Sequence, residues 1–520
     1  MKRIGIRKPA VALLGGAVYA LFAALGRQAQ HDGQSDPLRA LLVAALLLPP
    51  FSCALAFLSE RAGRKARPVS LEDREAFCAR RTFCLIFACY VPMFLITFPG
   101  SFAYDVPFQL RQVFTGAYST HHPLVHTLLL GGCVALGRAL GCVNAGAALY
   151  TLVQMALLAL CFTAACASIA RRCGGRSAFR AALCFALYPL HMMMAVNATK
   201  DVLFSGCFAL LLALSLEAAH APHCGGGLGA GIAAAAACSM LLRNNMLYAV
   251  LVWAALLPLL LRRRGCRLAG LMLLAAALAC GTNAVLSAAT GAQPGDASEM
   301  LSWPIQQLAR ARNLNADRLS QEEIEAMDEL MPGEAWRLYD PTISDPVKFE
   351  FDTRRLMEDL PRYLGVYLSV GAKCPKTYFD AVLMLTYSFL YPYSEYGVSG
   401  YYLQMGVTDQ YYDGWYEGER ITSASLFPRV LASLSWRFGA QGAMQIPVIG
   451  WAFNMGLIVW AMLYLVLRQA YRGAWRCFAV MLLPVLLWGT FLLGPVMAGR
   501  YVYPFVCALP VMAAQEKKAE

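Results

Sequence analysis

Long apolar runs alternate with short polar ones along most of this chain. Runs with few or no charges fall at about 9–25, 38–58, 82–98, 144–169, 179–195, 202–219, 228–242, 246–261, 268–288, 447–467, 477–494 and 501–514. A bilayer core takes roughly 20 apolar residues to cross as a helix. The pattern therefore predicts an all-α polytopic membrane protein with about 12 transmembrane helices. The opening MKRIGIRKPAVALLGGAVYALFAALG has the make-up of a signal peptide, but a second run follows at once, and a retained first helix is the simpler reading.

With the N-terminus inside, the loops sort by charge. RRCGGRSAFR, RRRGCR, RQAYRGAWR and the tail EKKAE fall on the cytoplasmic side, as does SERAGRKARPVSLEDREAFCARR. The segments PGSFAYDVPFQL, NATKD, RNN, GPVMAGR and the long stretch 289–446 fall outside. The run His122–Leu140 breaks this alternation, carries His126 and Arg138, and is rich in glycine. It reads as a re-entrant or interfacial helix on the outer side, tolerated where it meets protein or a wet cavity. Four units follow. Residues 1–81 hold two N-terminal helices and a basic loop; 82–288 form the transmembrane core; 289–446 form one large, mainly helical extracytoplasmic loop; 447–520 hold the last helices and a cytoplasmic tail.

Composition agrees with the pattern. At 58% hydrophobic and 15% charged residues, the chain is far from the soluble average of about 25% charged. That excludes a soluble enzyme, a secreted disulfide scaffold and a disordered chain. The net charge of +12 is not one basic face: 289–446 holds 21 acidic and 13 basic residues, and the rest holds 11 and 31. The excess lies in short loops and reports topology, so no nucleic-acid partner is implied. Within 289–446, Ser320-Gln321-Glu322-Glu323 reads as a helix capping box. Tyr378, Tyr387, Tyr391, Tyr393, Tyr396, Tyr401, Tyr402, Tyr411, Tyr412, Trp415 and Tyr416 crowd its second half. Such density suits either the bilayer interface or a cleft that stacks on sugar rings.

The polar residues of the outer loops are the candidate chemistry: Asp105 with Gln109 and Arg111; His121, His122 and His126; Asn197, Lys200 and Asp201; Arg243, Asn244 and Asn245; Arg500, Tyr501 and Tyr503. Asp105 is a general base at a membrane–water cleft or an ordinary loop carboxylate. The two histidines could ligate a metal, contact substrate or line the interface. Lys200 and Asp201 either neutralise each other or serve a phosphate and an acceptor hydroxyl. Arg243 and Arg500 run against the positive-inside bias; they suit a lipid-linked phosphate, bound bidentately, or snorkel to headgroups. No phosphate-binding P-loop, HExxH motif or intramembrane acidic relay is present in the sequence.

The string FPGSFAYDVPFQLRQVFTGAYSTHHPLVHTLLLGG resembles the first outer loop of the GT-C superfamily of integral-membrane glycosyltransferases, and TKD, RNNMLY and GRYVYPF extend the likeness. LSWPIQQLAR, LSQEE, YDPTISDPVK and PKTYFDAVLMLTYSFLYP are similar to phrases of a largely uncharacterised bacterial family placed near those enzymes. The resemblance spans most of 82–515. It implies an inverting transfer of sugar from a polyprenyl-phosphate-linked donor to a glycan, lipid or protein acceptor, at the outer face of the cell membrane. Asp105 matches the first-loop acidic residue and would be the base. His121, His122, Lys200, Asp201, Arg243, Asn244, Arg500 and Tyr501 would bind substrate. A divalent ion, Mg or Mn, is a cofactor in many relatives. The rival readings are a polysaccharide polymerase or ligase, and a flippase or transporter of lipid-linked sugars.

Overall fold

A computed structural model describes residues 8–64, 73, 76–102, 105–221, 225–394, 406–407, 420–439 and 450–514. Among them the regular elements are all helical, joined by a few isolated β-bridges. The N-terminal helices α1 (Lys8–Asp32) and α2 (Pro37–Arg64) form a hairpin. Small residues let them close: a Cβ on Gly16 would fall 2.9 Å from the Ser52 backbone nitrogen. Next come α3 (Ala79–Thr97), the short α4 (Val106–Thr115) and α5 (Leu124–Ala139), then α6 (Val143–Cys173). The bundle continues through α7 (Gly175–Leu187), α8 (Pro189–Ala195), α9 (Lys200–His220), α10 (Gly226–Leu242), α11 (Asn245–Leu261) and α12 (Arg263–Thr290).

Among the described residues, seven helices are long and apolar enough to cross a membrane, or eight if α7 and α8, bent by 60° at Tyr188, form one broken span. The protein is thus an α-helical, membrane-embedded one. The other runs expected to span are shorter helices: α10 and α11 have 17 residues each, as does α17 (Met455–Tyr471). The run expected at 501–514 is the 11-residue α19 (Tyr503–Ala513), which follows α18 (Trp475–Leu492). The first residues of the span expected at 447–467 lie outside the described residues, as do parts of the first basic loop and the tail. Helix α9 is apolar on every side and buried along most of its length, as a helix at the centre of a bundle must be.

The awkward run His122–Leu140 is α5, and its place follows from what it packs against. At 31 residues, α6 is about 46 Å long, against a hydrocarbon core of about 30 Å. Helix α5 pairs with the first third of α6. A Cβ on Gly137 would fall 2.3 Å from the Gly146 nitrogen, and farther along the pair His126 meets Tyr150. Helices α5 and α6 therefore form a hairpin at one end of the bundle.

Segment 289–446 begins as a separate cap. Helices α13 (Ser302–Leu314), α14 (Gln321–Leu330) and α15 (Leu360–Lys373) enclose their own core of Ile305, Leu308, Met327, Trp336, Tyr363 and Val370. The expected capping box is present at Ser320 and Glu323. The cap is tied down on both sides: Arg310 donates to the Gly33 carbonyl at 2.8 Å, and Trp303 donates to the Leu492 carbonyl at 2.7 Å. The cap leads through Cys374 into α16 (Pro375–Leu390). This apolar helix packs along α1 and α17, and Trp460 donates to the Leu390 carbonyl at 2.7 Å. Tyr378 and Tyr387 are accordingly buried in protein, whereas Tyr393 is 72% exposed. The tyrosines from Tyr396 to Tyr416 and Trp415 lie outside the described residues.

Candidate functional site

Several connections meet at the capped end of the bundle, and short backbone pairings hold them together. Ser101 and Asn197 form a β-bridge: the Ser101 amide donates to the Val196 carbonyl and the Ala198 amide to the Ser101 carbonyl, each at 2.9 Å. This zipper lies only a few residues from Asp105 on one side and Lys200 on the other. The roof comes from the cap: Gln293 bridges to Ser119, Gly295 packs against His121, and Ile343 bridges to Val496 in the loop that leads to Arg500.

Asp105 is the N-cap residue of α4, where an aspartate normally accepts from its own helix amides. Here it makes no such bond. Its carboxylate instead faces the Lys200 ammonium at 2.8 Å, the Arg500 guanidinium at 3.5 Å and the His122 ring at 4.0 Å, all to Oδ2. Burial acts to raise this carboxyl, but the Arg500 and Lys200 charges outweigh burial and hold it well below the usual carboxylate range. His122 is pushed down to about 3 by burial, with the Lys200 charge adding to it. It is therefore a neutral ring, with Nδ1 3.4 Å from the Lys200 ammonium. His121 touches it edge-on, ring centres 4.6 Å apart, and is itself exposed.

Asp201 is wholly buried at the head of α9, fixed by Thr199, which caps the helix and donates to Asp201 Oδ2 at 3.3 Å. Arg243 pairs closely with Asp201 Oδ1, and Arg500 Nε lies 3.6 Å from Oδ2. The Arg243 guanidinium also stacks on Phe491 and Tyr501, at 4.4 and 4.5 Å from the ring centres. Lys200 and Asp201 thus do not neutralise each other, and the two arginines turn inward. Three permanent cations surround two carboxylates, leaving one positive charge over. Buried positive charge in excess of its partners favours an anion.

The structure gathers Asp105, His122, Lys200, Asp201, Arg243, Arg500 and Tyr501, with His121 at the edge. Asn244 and Arg111 are exposed, and no described contact joins them to the carboxylates. A supporting chain was only partly foreseen. Gln109 meets His126 at 2.9 Å, His126 Nε2 meets the Tyr150 hydroxyl at 2.7 Å, and Tyr150 donates to Gln154 at 2.8 Å. Gln154 then donates to the carbonyls of Ala195 and Asn197, both at 2.9 Å. This chain joins α4, α5 and α6 to the turn that carries Lys200. Tyr150 and Gln154 stand four apart within an apolar run, the one sequence signal that marked a polar face there.

Among the described residues, no three His, Cys, Asp or Glu side chains come together as metal ligands. At Asp105 the nearest cation is the Lys200 ammonium, 2.8 Å from Oδ2.

Fold and site together define a helical membrane protein whose buried, cation-rich site is built from inter-helix loops beneath a helical cap. The chain belongs to a family of unknown function (DUF6020), which it matches over residues 114–519. That match takes in His122, Lys200, Asp201, Arg243, Arg500 and Tyr501, whereas Asp105 and Gln109 lie just before it. No curated protein and no solved structure matches the chain.

Proposed function

We propose that this protein is a membrane glycosyltransferase of the GT-C kind, moving a sugar from a polyprenyl-phosphate-linked donor to an acceptor at the outer face of the cell membrane. In this reading the chain crosses the membrane about 12 times with both termini cytoplasmic, and the cap and site lie outside. The observation that carries it is the carboxylate of Asp105 set among Lys200, Arg500 and His122, next to Arg243 on Asp201.

Without substrate, Asp105 is a paired carboxylate and a weak base. A donor phosphate would draw Lys200 and Arg500 toward itself and release the carboxylate. The acceptor hydroxyl oxygen then attacks the anomeric carbon from the face opposite the phosphate. The bond from that carbon to the phosphate oxygen breaks, its electron pair stays on the departing polyprenyl phosphate, and the hydroxyl proton passes to Asp105. The leaving group gains one negative charge, which Lys200, Arg500 and Arg243 are placed to stabilise. No step is assigned to a metal ion.

The test uses purified protein in lipid with a panel of labelled polyprenyl-phosphate sugars, with and without divalent ions. Free polyprenyl phosphate is the expected product. Donor carried across the membrane intact would instead identify a transporter, and cleavage of diphosphate-linked donors alone would identify a polymerase or ligase.

A further inference from the structure

Away from the site, the cap carries an apolar surface that its own core does not use. Tyr363 and Val370 of α15 turn inward, 3% and 0% exposed. On the other side Leu360, Leu364 and Leu368 are 43%, 49% and 60% exposed. Their spacing of four residues puts them on one helical stripe. The neighbouring charges lie on a separate strip and are occupied: Arg355 and Arg362 with Glu329, and Lys373 with Glu323.

The stripe's position along the bundle identifies what covers it. Only Cys374 separates α15 from α16, and α16 runs along α1. The head of α16 is level with the turn between α1 and α2: the Ser35 amide donates to Asp380 Oδ1 at 2.8 Å, and Lys376 donates to Gln34 at 3.1 Å. A turn joining two spans lies where lipid meets water. Helix α15 therefore ends within about two helical turns of that level. Phe379, 48% exposed on α16, carries the apolar surface on toward the bundle. A helix with one apolar face and one charged face at this depth has the form of an interfacial anchor.

We propose that the stripe Leu360–Leu364–Leu368 rests on the bilayer, making α15 an in-plane anchor that holds the cap against the lipid surface. The experiment places the photo-crosslinking residue benzoylphenylalanine at Leu364, at Leu368 and, as a control, at Glu325 on the exposed side of α14. Each full-length variant is illuminated in phosphatidylglycerol–phosphatidylethanolamine vesicles and its intact mass is read. Lipid adducts at 364 and 368, lost at 325, are the expected result. Covalent dimers, no lipid adduct, or equal lipid labelling at 325 would overturn the proposal. A size-exclusion profile matching the wild type confirms that each variant is folded.

Discussion

Replacing Asp201 with asparagine removes the charge at the centre of the site. Asp201 is 0% exposed, and Arg243, whose side chain is 10% exposed, depends on it for its ion pair. Losing one member of a buried pair costs about 3–5 kcal/mol, because the partner stays charged and unmatched. Stacking of Arg243 on Phe491 and Tyr501 survives the change, and each such contact contributes about 0.5–2 kcal/mol. A loss near 3 kcal/mol is therefore expected for Asp201→Asn. Arg243→Met should also destabilise, by leaving Asp201 to Arg500 alone. The double variant removes both charges and should cost less than the two single losses together, with a coupling of about 1–3 kcal/mol. Reversible unfolding by SDS in mixed micelles gives the three values. Losses that simply add would refute the buried pair as the unit that holds these loops.

Other expectations follow from neighbouring contacts. Tyr150→Phe strips the partner from His126 and Gln154 and should cost about 1–3 kcal/mol, as for any buried polar group left unsatisfied; the same SDS titration reads it. Gly137→Val would drive a side chain into the Gly146 backbone, which lies 2.3 Å from even a Cβ. It should open the α5–α6 hairpin and expose the partly buried Cys133 to a maleimide, and unchanged labelling at Cys133 would contradict that packing. His122 titrates near 3 when folded and near 6.5 when unfolded. Between those values the unfolded chain binds the extra proton, so this histidine lowers stability as pH falls from about 6.5 toward 3. His122→Gln should therefore flatten the decline of thermal stability over that range, and an unchanged slope would count against a neutral, buried ring. Lys200→Met removes a cation 2.8 Å from Asp105 and should reduce polyprenyl phosphate release at saturating donor; an unaltered rate would remove Lys200 from the proposed chemistry.

Much of the site was legible because ionisable groups are scarce in an apolar chain and stand out in its loops. Their pairing was not legible. Lys200 and Asp201 are adjacent, yet at the head of α9 successive side chains diverge by about 100°, so one meets Asp105 and the other Arg243. Arg243 and Arg500 looked like groups for headgroups or phosphate because the carboxylates they reach lie 42 residues and more away. The exclusion of His122–Leu140 from the spans came from loop charges, whereas its hairpin with the start of α6 is visible only in the structure. The run YFDAVLMLTYSFL was read as part of the outer segment, and the packing of its helix on α1 and α17 is visible only in the structure. Tyr150 and Gln154 were hidden for the opposite reason, inside a run apolar enough to need no further reading.

The central claim rests on Asp105 as the group that accepts the acceptor's proton. The direct measurement is release of free polyprenyl phosphate from its sugar-linked form, in lipid and in the presence of acceptor, by wild type and by Asp105→Asn. The account predicts release by the wild type and a rate about 10²–10⁴ lower in the variant, the usual contribution of a positioned base. Equal release by both, from protein folded to the same degree, would contradict it.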